Sequence, residues 1–316
     1  MRETKYSSTL LYQLRLTGLS LMLISGCACQ TFTQTSKTTK TASPAPASTQ
    51  TKENQNKENQ KMSQEFIRAL GNHDRNILEK VAQASASLPK DVDQAIGTLD
   101  SEARELAVEL ITKQDNEYTG MFLLRRTADD DANVSTLAAD NIGKIINKPK
   151  TEDILTVIPK RNDPFIRGKL YLEAGKRNED NVLEQLRRAS ANEDDEDAKL
   201  KALAAKVKRG GQPEKGEFLN IVRSTEPDDA LKIQDLLLYI DNPSLAKGLI
   251  PWLDKDDNIM RIGSDRQNMM ARMKDVAVWT AHLLKIKLPF ETTSLRNYTE
   301  EEIQETRKVL ELLPDN

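Results

Sequence analysis

Cysteine is almost absent. The 316 residues hold two, Cys27 and Cys29, both near the start. Everything beyond residue 29 is therefore built without a disulfide framework and without thiolate-held zinc. Histidine is as rare, and His73 and His282 stand far apart, so neither has a sequence neighbour with which to share a metal. Aromatic residues make up only 4% of the chain. No apolar run approaches the roughly 20 residues that a membrane-spanning helix needs. Gly-x-Ser-x-Gly, His-Glu-x-x-His and phosphate-cradling glycine loops are missing, and with them the commonest hydrolase, zinc-protease and nucleotide chemistries. Asn-Gly and Asp-Gly hairpin turns do not occur, and no alternation of Val, Ile and aromatics is sustained, so strand signals are lacking. Neither sign of charge dominates: 46 Lys and Arg face 49 Asp and Glu, for a net charge of −3. That balance offers no general attraction to nucleic acid.

What is present begins with the first residues. Arg2, Lys5 and Arg15 give a positive flank, and an apolar or small-residue stretch follows to Gly26. It is too short to span a bilayer but suits a signal segment. It ends in Leu23-Ile24-Ser25-Gly26-Cys27, which resembles the lipobox of bacterial lipoproteins. The resemblance implies cleavage before Cys27, lipid on Cys27, and attachment to a membrane outside the cytoplasm. Ala28 follows the cysteine. In a Gram-negative host the family's sorting then favours the outer membrane, facing the periplasm. Cys29 has no assigned role.

Residues 30–61 are rich in Thr, Ser, Lys, Gln and Asn, and Phe32 is their only large apolar side chain. Such a stretch buries too little surface to offset its ordering entropy. It is expected to be a disordered tether spanning about 30 Å. The expected organisation is thus a signal segment at 1–26, a lipidated cysteine and tether at 27–61, and a folded body at 62–316.

The body reads as all-α. Ala103, Leu106, Ala107, Leu110 and Ile111 fall on one face of a helix. Val134, Leu137, Ala138, Ile142 and Ile145 repeat the spacing, as do Leu200, Leu203, Ala204 and Val207, then Ile233, Leu236, Leu237 and Ile240. Start signals agree. Asp100 and Asp131 precede such stripes, Asp163-Pro164 and Asn242-Pro243 set an acceptor before a first-turn proline, and Thr299 with Glu302 fits a capping box. Arg209-Gly210-Gly211 reads as a helix stop.

The helices are short and paired, and pairs recur every ~28–35 residues. One pair cannot bury its apolar face alone, but a stack of pairs shares a continuous core. The stretch from Asp129-Asp130-Asp131 to Asn141-Ile142-Gly143 looks like the inner helix of a HEAT repeat. Asn162-Asp163-Pro164-Phe165-Ile166-Arg167 resembles the same turn and helix start, and Met273 to Ala281 a further inner helix. Tetratricopeptide repeats have a similar period, but their Trp, Leu-Gly and Tyr pattern is missing. The expected fold is an α-solenoid of HEAT-like helix pairs. The resemblance places Arg104, Arg167 and Lys274 near inner-helix starts, where such cations serve either a partner surface or an internal hydrogen-bonded ladder.

Residues 254–272 interrupt the pattern and read as a solvated polar loop. Asp254, Asp256, Asn258 and Asp265 have the spacing of calcium ligands, but Ile259 replaces the glycine such a loop requires. The acidic run Glu193 to Asp197 reads as charge at a helix N-terminus. Trp252 and Trp279 are expected as core anchors between repeats. No catalytic constellation, metal or cofactor is called for. The resulting expectation is an envelope lipoprotein that binds a protein partner without catalysis, held to the membrane through Cys27, with no nucleic acid partner. The alternatives are an accessory subunit or an enzyme on a helical scaffold, and a purely structural envelope lipoprotein.

Overall fold

The computed structural model describes residues 49–76, 78, 91–115, 117–262 and 269–314. The leader, the lipobox Leu23–Gly26, Cys27, Cys29 and Asp265 lie outside the described residues. Thr49–Asn316 forms one compact unit. The unit is mostly helical.

In chain order the helices are α1 (Thr49–Gly71), α2 (Asp91–Ile96), α3 (Ser101–Gln114), α4 (Thr119–Arg126), α5 (Ala132–Ile142), α6 (Thr151–Val157), α7 (Pro164–Gly175), α8 (Val182–Ala189), α9 (Glu196–Lys208), α10 (Gln212–Ser224), α11 (Ala230–Ile240), α12 (Met273–Leu283) and α13 (Glu300–Glu311). A 3-10 segment, Pro243–Asp254, takes the place of a helix after α11. Helix α1 starts inside the stretch expected as tether. Residues 49–61 are helical, because the Lys, Glu, Gln and Asn that look like linker composition are also tolerable helix formers on a helix continuous with Phe66 and Leu70.

Alternate helices pack on one another in a first row. Helix α3 packs on α5, α5 on α7, α7 on α9, α9 on α11 and α11 on α12. Of the intervening elements, α6 packs on α8, and α10 on the 3-10 segment, which also meets α13. Short turns join successive helices, and aspartates start several of the first row. Asp100 accepts from the Ala103 N–H at 2.9 Å, Asp131 from Asn133 at 2.9 Å, Asp163 from Phe165 at 2.8 Å and Asp195 from Ala198 at 2.9 Å. These caps recur every ~32 residues. Each satisfies an N–H that the helix itself leaves unpaired. At the end of α9, Gly210 adopts φ +84°, and the Gly211 N–H reaches back to the Lys206 carbonyl at 3.1 Å. Glycine takes that left-handed turn without a Cβ penalty.

Buried apolar side chains form two clusters. One runs from Phe66 to Ala205, and the other from Leu203 to Leu310. Trp252 anchors the second; it is fully buried, and its indole N–H donates to the Val222 carbonyl at 2.6 Å. Trp279 differs from expectation. It is only half-buried and stacks on His282 with ring centroids 5.1 Å apart. Around it on α12, Met273 to Val278, Thr280 and Ala281 are all buried and already fill the interior.

The 254–272 stretch also departs from the sequence reading. Asn258–Ile262 (β1) and Met269–Arg272 (β2) pair as an antiparallel hairpin, with Met260 opposite Ala271, Ile262 opposite Met269, and an irregularity between Asn258 and Met260. The body is therefore not helical throughout. The pairing runs on into α12: the Met273 N–H donates to Asp257 at 2.9 Å, and the Lys274 N–H to Lys255 at 3.1 Å. Asp254 and Asp256 are engaged by Arg307 at 2.5 Å and Lys274 at 2.7 Å, and Asn258 opens β1, so these side chains do not converge as a calcium loop's must.

Candidate functional site

The residues singled out by sequence gather at the starts of the first-row helices. Arg104 lies one turn into α3. Its Nη2 is 2.9 Å from Asp129 and 2.7 Å from Asp130, and Nη1 donates to the Leu99 carbonyl at 2.7 Å. Arg167 sits at the matching place in α7. It grips Glu193 with Nε at 2.9 Å and Nη2 at 2.7 Å, and Nη1 donates to the Arg161 carbonyl at 3.0 Å. The rule is the same in both: a cation four residues after one aspartate cap holds an acid two residues before the next. Lys274 is a variant, with Nζ at 2.7 Å from Asp256 and paired also with Glu300 at the start of α13.

Ser135 occupies the corresponding place in α5, and no guanidinium leaves from there. Arg161 fills the gap from the preceding turn, donating to Thr127 Oγ1 at 2.8 Å and to the Leu124 carbonyl at 3.0 Å. At the N-terminal end Arg125 and Arg126 both pair with Asp93 of α2, and Arg126 also donates to its carbonyl at 2.8 Å. Charged bonds thus tie successive turns together from Asp93 as far as Glu193.

The electrostatics follow from burial and pairing. Burial works against the Arg104 charge, but the hydrogen bond and charge of Asp129 outweigh it and hold the guanidinium above its ordinary value. Burial would raise the Glu193 carboxyl; the Arg167 guanidinium and the Asp195 N–H overcome that and hold it below the usual range. Lys274 is pushed down by burial and up, by more, through Asp256 and Glu300. All three cations are mostly covered, and the Glu193 side chain is 2% exposed. A cleft of about 380 Å³ opens beside the ladder, walled by Asp130, Ser135, Lys160 and Asn162 among others. Its walls carry both signs of charge, so they select no ligand by charge.

Sequence reasoning missed the most buried charge. Asp275, with no exposed surface, accepts from the Arg272 N–H at 2.9 Å, from Arg272 Nε at 2.8 Å and from the Tyr298 N–H at 2.9 Å. Arg272 Nη2 donates to the Tyr298 carbonyl at 2.9 Å. This pair fastens the hairpin, the start of α12 and the segment before α13 to one another. The available signal was the cap position with an acid three residues on, masked by an arginine where Ser, Thr or Asp is the usual cap.

His73 ends α1's turn beside Asp100 and Glu102, and His282 stacks on Trp279; they are not brought together. Among the described residues no group of three or more His, Cys, Asp or Glu is placed to hold a metal ion, and no helix is long and apolar enough to cross a membrane. No protein-family model matches the chain, and no curated protein or solved structure matches it.

Proposed function

We propose that this chain is a lipid-anchored protein of the bacterial cell envelope whose helical unit is an α-solenoid of HEAT-like pairs and binds a protein partner without catalysis. The observation that carries the anchoring is Leu23-Ile24-Ser25-Gly26-Cys27 at the end of a positively flanked apolar leader. A single acyl chain holds a protein only marginally, whereas the two or three chains implied by the resemblance give stable attachment. The scaffold reading is supported by aspartate caps at a nearly constant interval and by sequential packing of first-row helices. Such stacking makes long continuous surfaces, which repeat proteins use for binding. Arg104, Arg167 and Lys274 serve as the internal ladder in this reading, because their donors are already committed to acids of their own chain. Fold alone assigns no function, so the partner must come from experiment.

Two measurements test it. Cells expressing the chain and fed an alkyne-tagged fatty acid should label the wild-type protein and leave Cys27→Ser unlabelled and in the soluble fraction. Equal labelling of both removes the anchor. Crosslinking in envelope fractions should recover one reproducible protein partner; recovery of none removes the scaffold role.

A further inference from the structure

Few large apolar side chains among the described residues face solvent. Phe165, at the start of α7, is partly exposed, but Lys169 and Lys201 lie over its ring, 4.7 and 5.1 Å from the centroid. Ile146 has no such cover. It is 87% exposed and belongs to the loop that joins α5 to α6. Ile145 and Pro149 of that loop are buried, and Ile146, Asn147 and Lys148 between them form a protruding tip.

The tip is fixed in place. Asp115, the left-handed residue that ends α3, accepts from the Ile146 N–H at 2.5 Å and from the Asn147 N–H at 3.0 Å, and its carbonyl accepts from the Asn147 amide. Burial would raise the Asp115 carboxyl, but those two N–H groups hold it below its ordinary value. Gly120 of α4 leaves room on the other side. A Cβ there would lie 2.4 Å from the Asn147 carbonyl oxygen and 2.8 Å from the Pro149 nitrogen. An aliphatic side chain is thus held out in water, where its removal from solvent is favourable.

The charges around the tip are of one sign and uncommitted. Lys144, Lys148 and Lys150 are all exposed. Lys144 donates to the Asn141 amide oxygen at 3.2 Å, and none of the three pairs with a carboxylate among the described residues. The ladder cations, by contrast, are matched by acids of their own chain. Asp115 is occupied by the loop's own N–H groups. Glu152 and Asp153, the next acids along the chain, stand in the first turn of α6, where the helix start itself favours a carboxylate. A stable protein interface needs about 800 Å² from each partner, far more than one protruding side chain offers. A lipid surface asks only that an apolar tip enter the headgroup boundary while lysine stems reach back to the phosphates.

We propose that the loop at 144–150 meets an anionic lipid surface, with Ile146 entering the boundary and Lys144, Lys148 and Lys150 on the headgroup phosphates. The inference rests on the anchoring proposed above, which brings a membrane within reach of every copy of the chain. It deepens that reading by naming the part of the helical unit that faces the lipid, which a lipid on Cys27 leaves open.

The test uses the full-length protein with Ile146→Trp, against the background emission of Trp252 and Trp279 in the wild type. It is reconstituted in vesicles of phosphatidylglycerol and dibrominated phosphatidylcholine. The added emission should shift to the blue and be quenched by bromine, and it should be largely spared when phosphatidylglycerol is left out. Lys148→Gln and Lys150→Gln should each lower the ratio of inserted to free loop about fivefold, which is the ~1 kcal/mol that a lysine contributes near an anionic surface. Leu312→Trp, at the most exposed apolar position after Ile146, should stay unquenched. An unquenched Trp at 146, quenching that ignores phosphatidylglycerol, or equal quenching at 312 overturns the proposal. So does a photo-reactive residue at 146 that captures a protein while quenching is absent. The two readings fail separately. If Cys27 takes the fatty acid and position 146 stays unquenched, the loop is wrong and the anchor stands. If Cys27→Ser labels as well as wild type, the anchor fails, and quenching at 146 still decides the loop.

Discussion

At the scale of single residues, the molecule depends on charges taken out of water and matched inside it. Glu193 is the sharpest case, with a nearly covered carboxylate that has Arg167 as its cationic partner at hydrogen-bond distance. Removing one member of such a pair strands the other. Arg167→Met is therefore expected to cost about 3 kcal/mol, and adding Glu193→Gln should restore much of it, read as the urea midpoint. A midpoint in Arg167→Met equal to wild type would show the pair to be idle. A second carboxylate adds to the acid sensitivity. The Arg296 guanidinium, with the Thr299 N–H, holds the Glu302 carboxyl down to about 2. A depressed carboxylate stabilises the fold above its unfolded pKa, near 4.3, and that contribution is lost as pH falls through the folded value. The urea midpoint should be flat from pH 7 to about 5 and decline between about 4.5 and 2. Glu302→Gln should lower it at neutral pH and shallow the acid decline.

At the scale of elements, helix starts were readable and pairings were not. Asp100, Asp131, Asp163 and Thr299 announce their helices because a cap is a local event: one side chain, one N–H two or three residues on. The hairpin was not readable. Its strands are five and four residues long, rich in Met and Arg, and their pairing runs on into the start of α12. The ladder was half readable. Arg167 stood out as a cation near a helix start, but its acid belongs to the next pair, and a run such as Glu193 to Asp197 does not reveal which member turns inward. Phe165 falls inside a repeat start, and an aromatic beside an apolar stripe reads as core until the neighbouring helix shows otherwise. Two glycines test element packing in opposite directions. A Cβ on Gly175 of α7 would lie 2.2 Å from Tyr239 Oη and 2.9 Å from Ala205 Cα. Gly175→Ala should cost about 1–3 kcal/mol through forced separation of α7 from α9. Gly216 of α10 has nothing within 4 Å of such an atom. Gly216→Ala should instead stabilise by about 0.5–1 kcal/mol, since only backbone entropy changes.

At the scale of the whole molecule, the question is whether two apolar clusters make one folding unit or two. They meet in α9. Ala202 and Ala205 belong to the N-terminal cluster, while Leu203, Ala204 and Val207, from the same turns, belong to the C-terminal one. A rigid helix with a face in each cluster cannot unfold with one and stay with the other. Tyr239 adds a second tie: its hydroxyl, on α11, donates to the Leu172 carbonyl of α7 at 2.7 Å. Where helices pack mainly on their neighbours, cooperativity rests on such shared elements. Amide exchange in rising urea should therefore show α3 and α12 losing protection at one concentration. Leu203→Ala should lower that concentration by removing about 2–4 kcal/mol from the C-terminal side of α9. It should also part the two, with α12 opening first, because α9 then holds the N-terminal cluster more firmly than the other. Two separate transitions in the wild-type protein would mean that α9 does not couple the clusters.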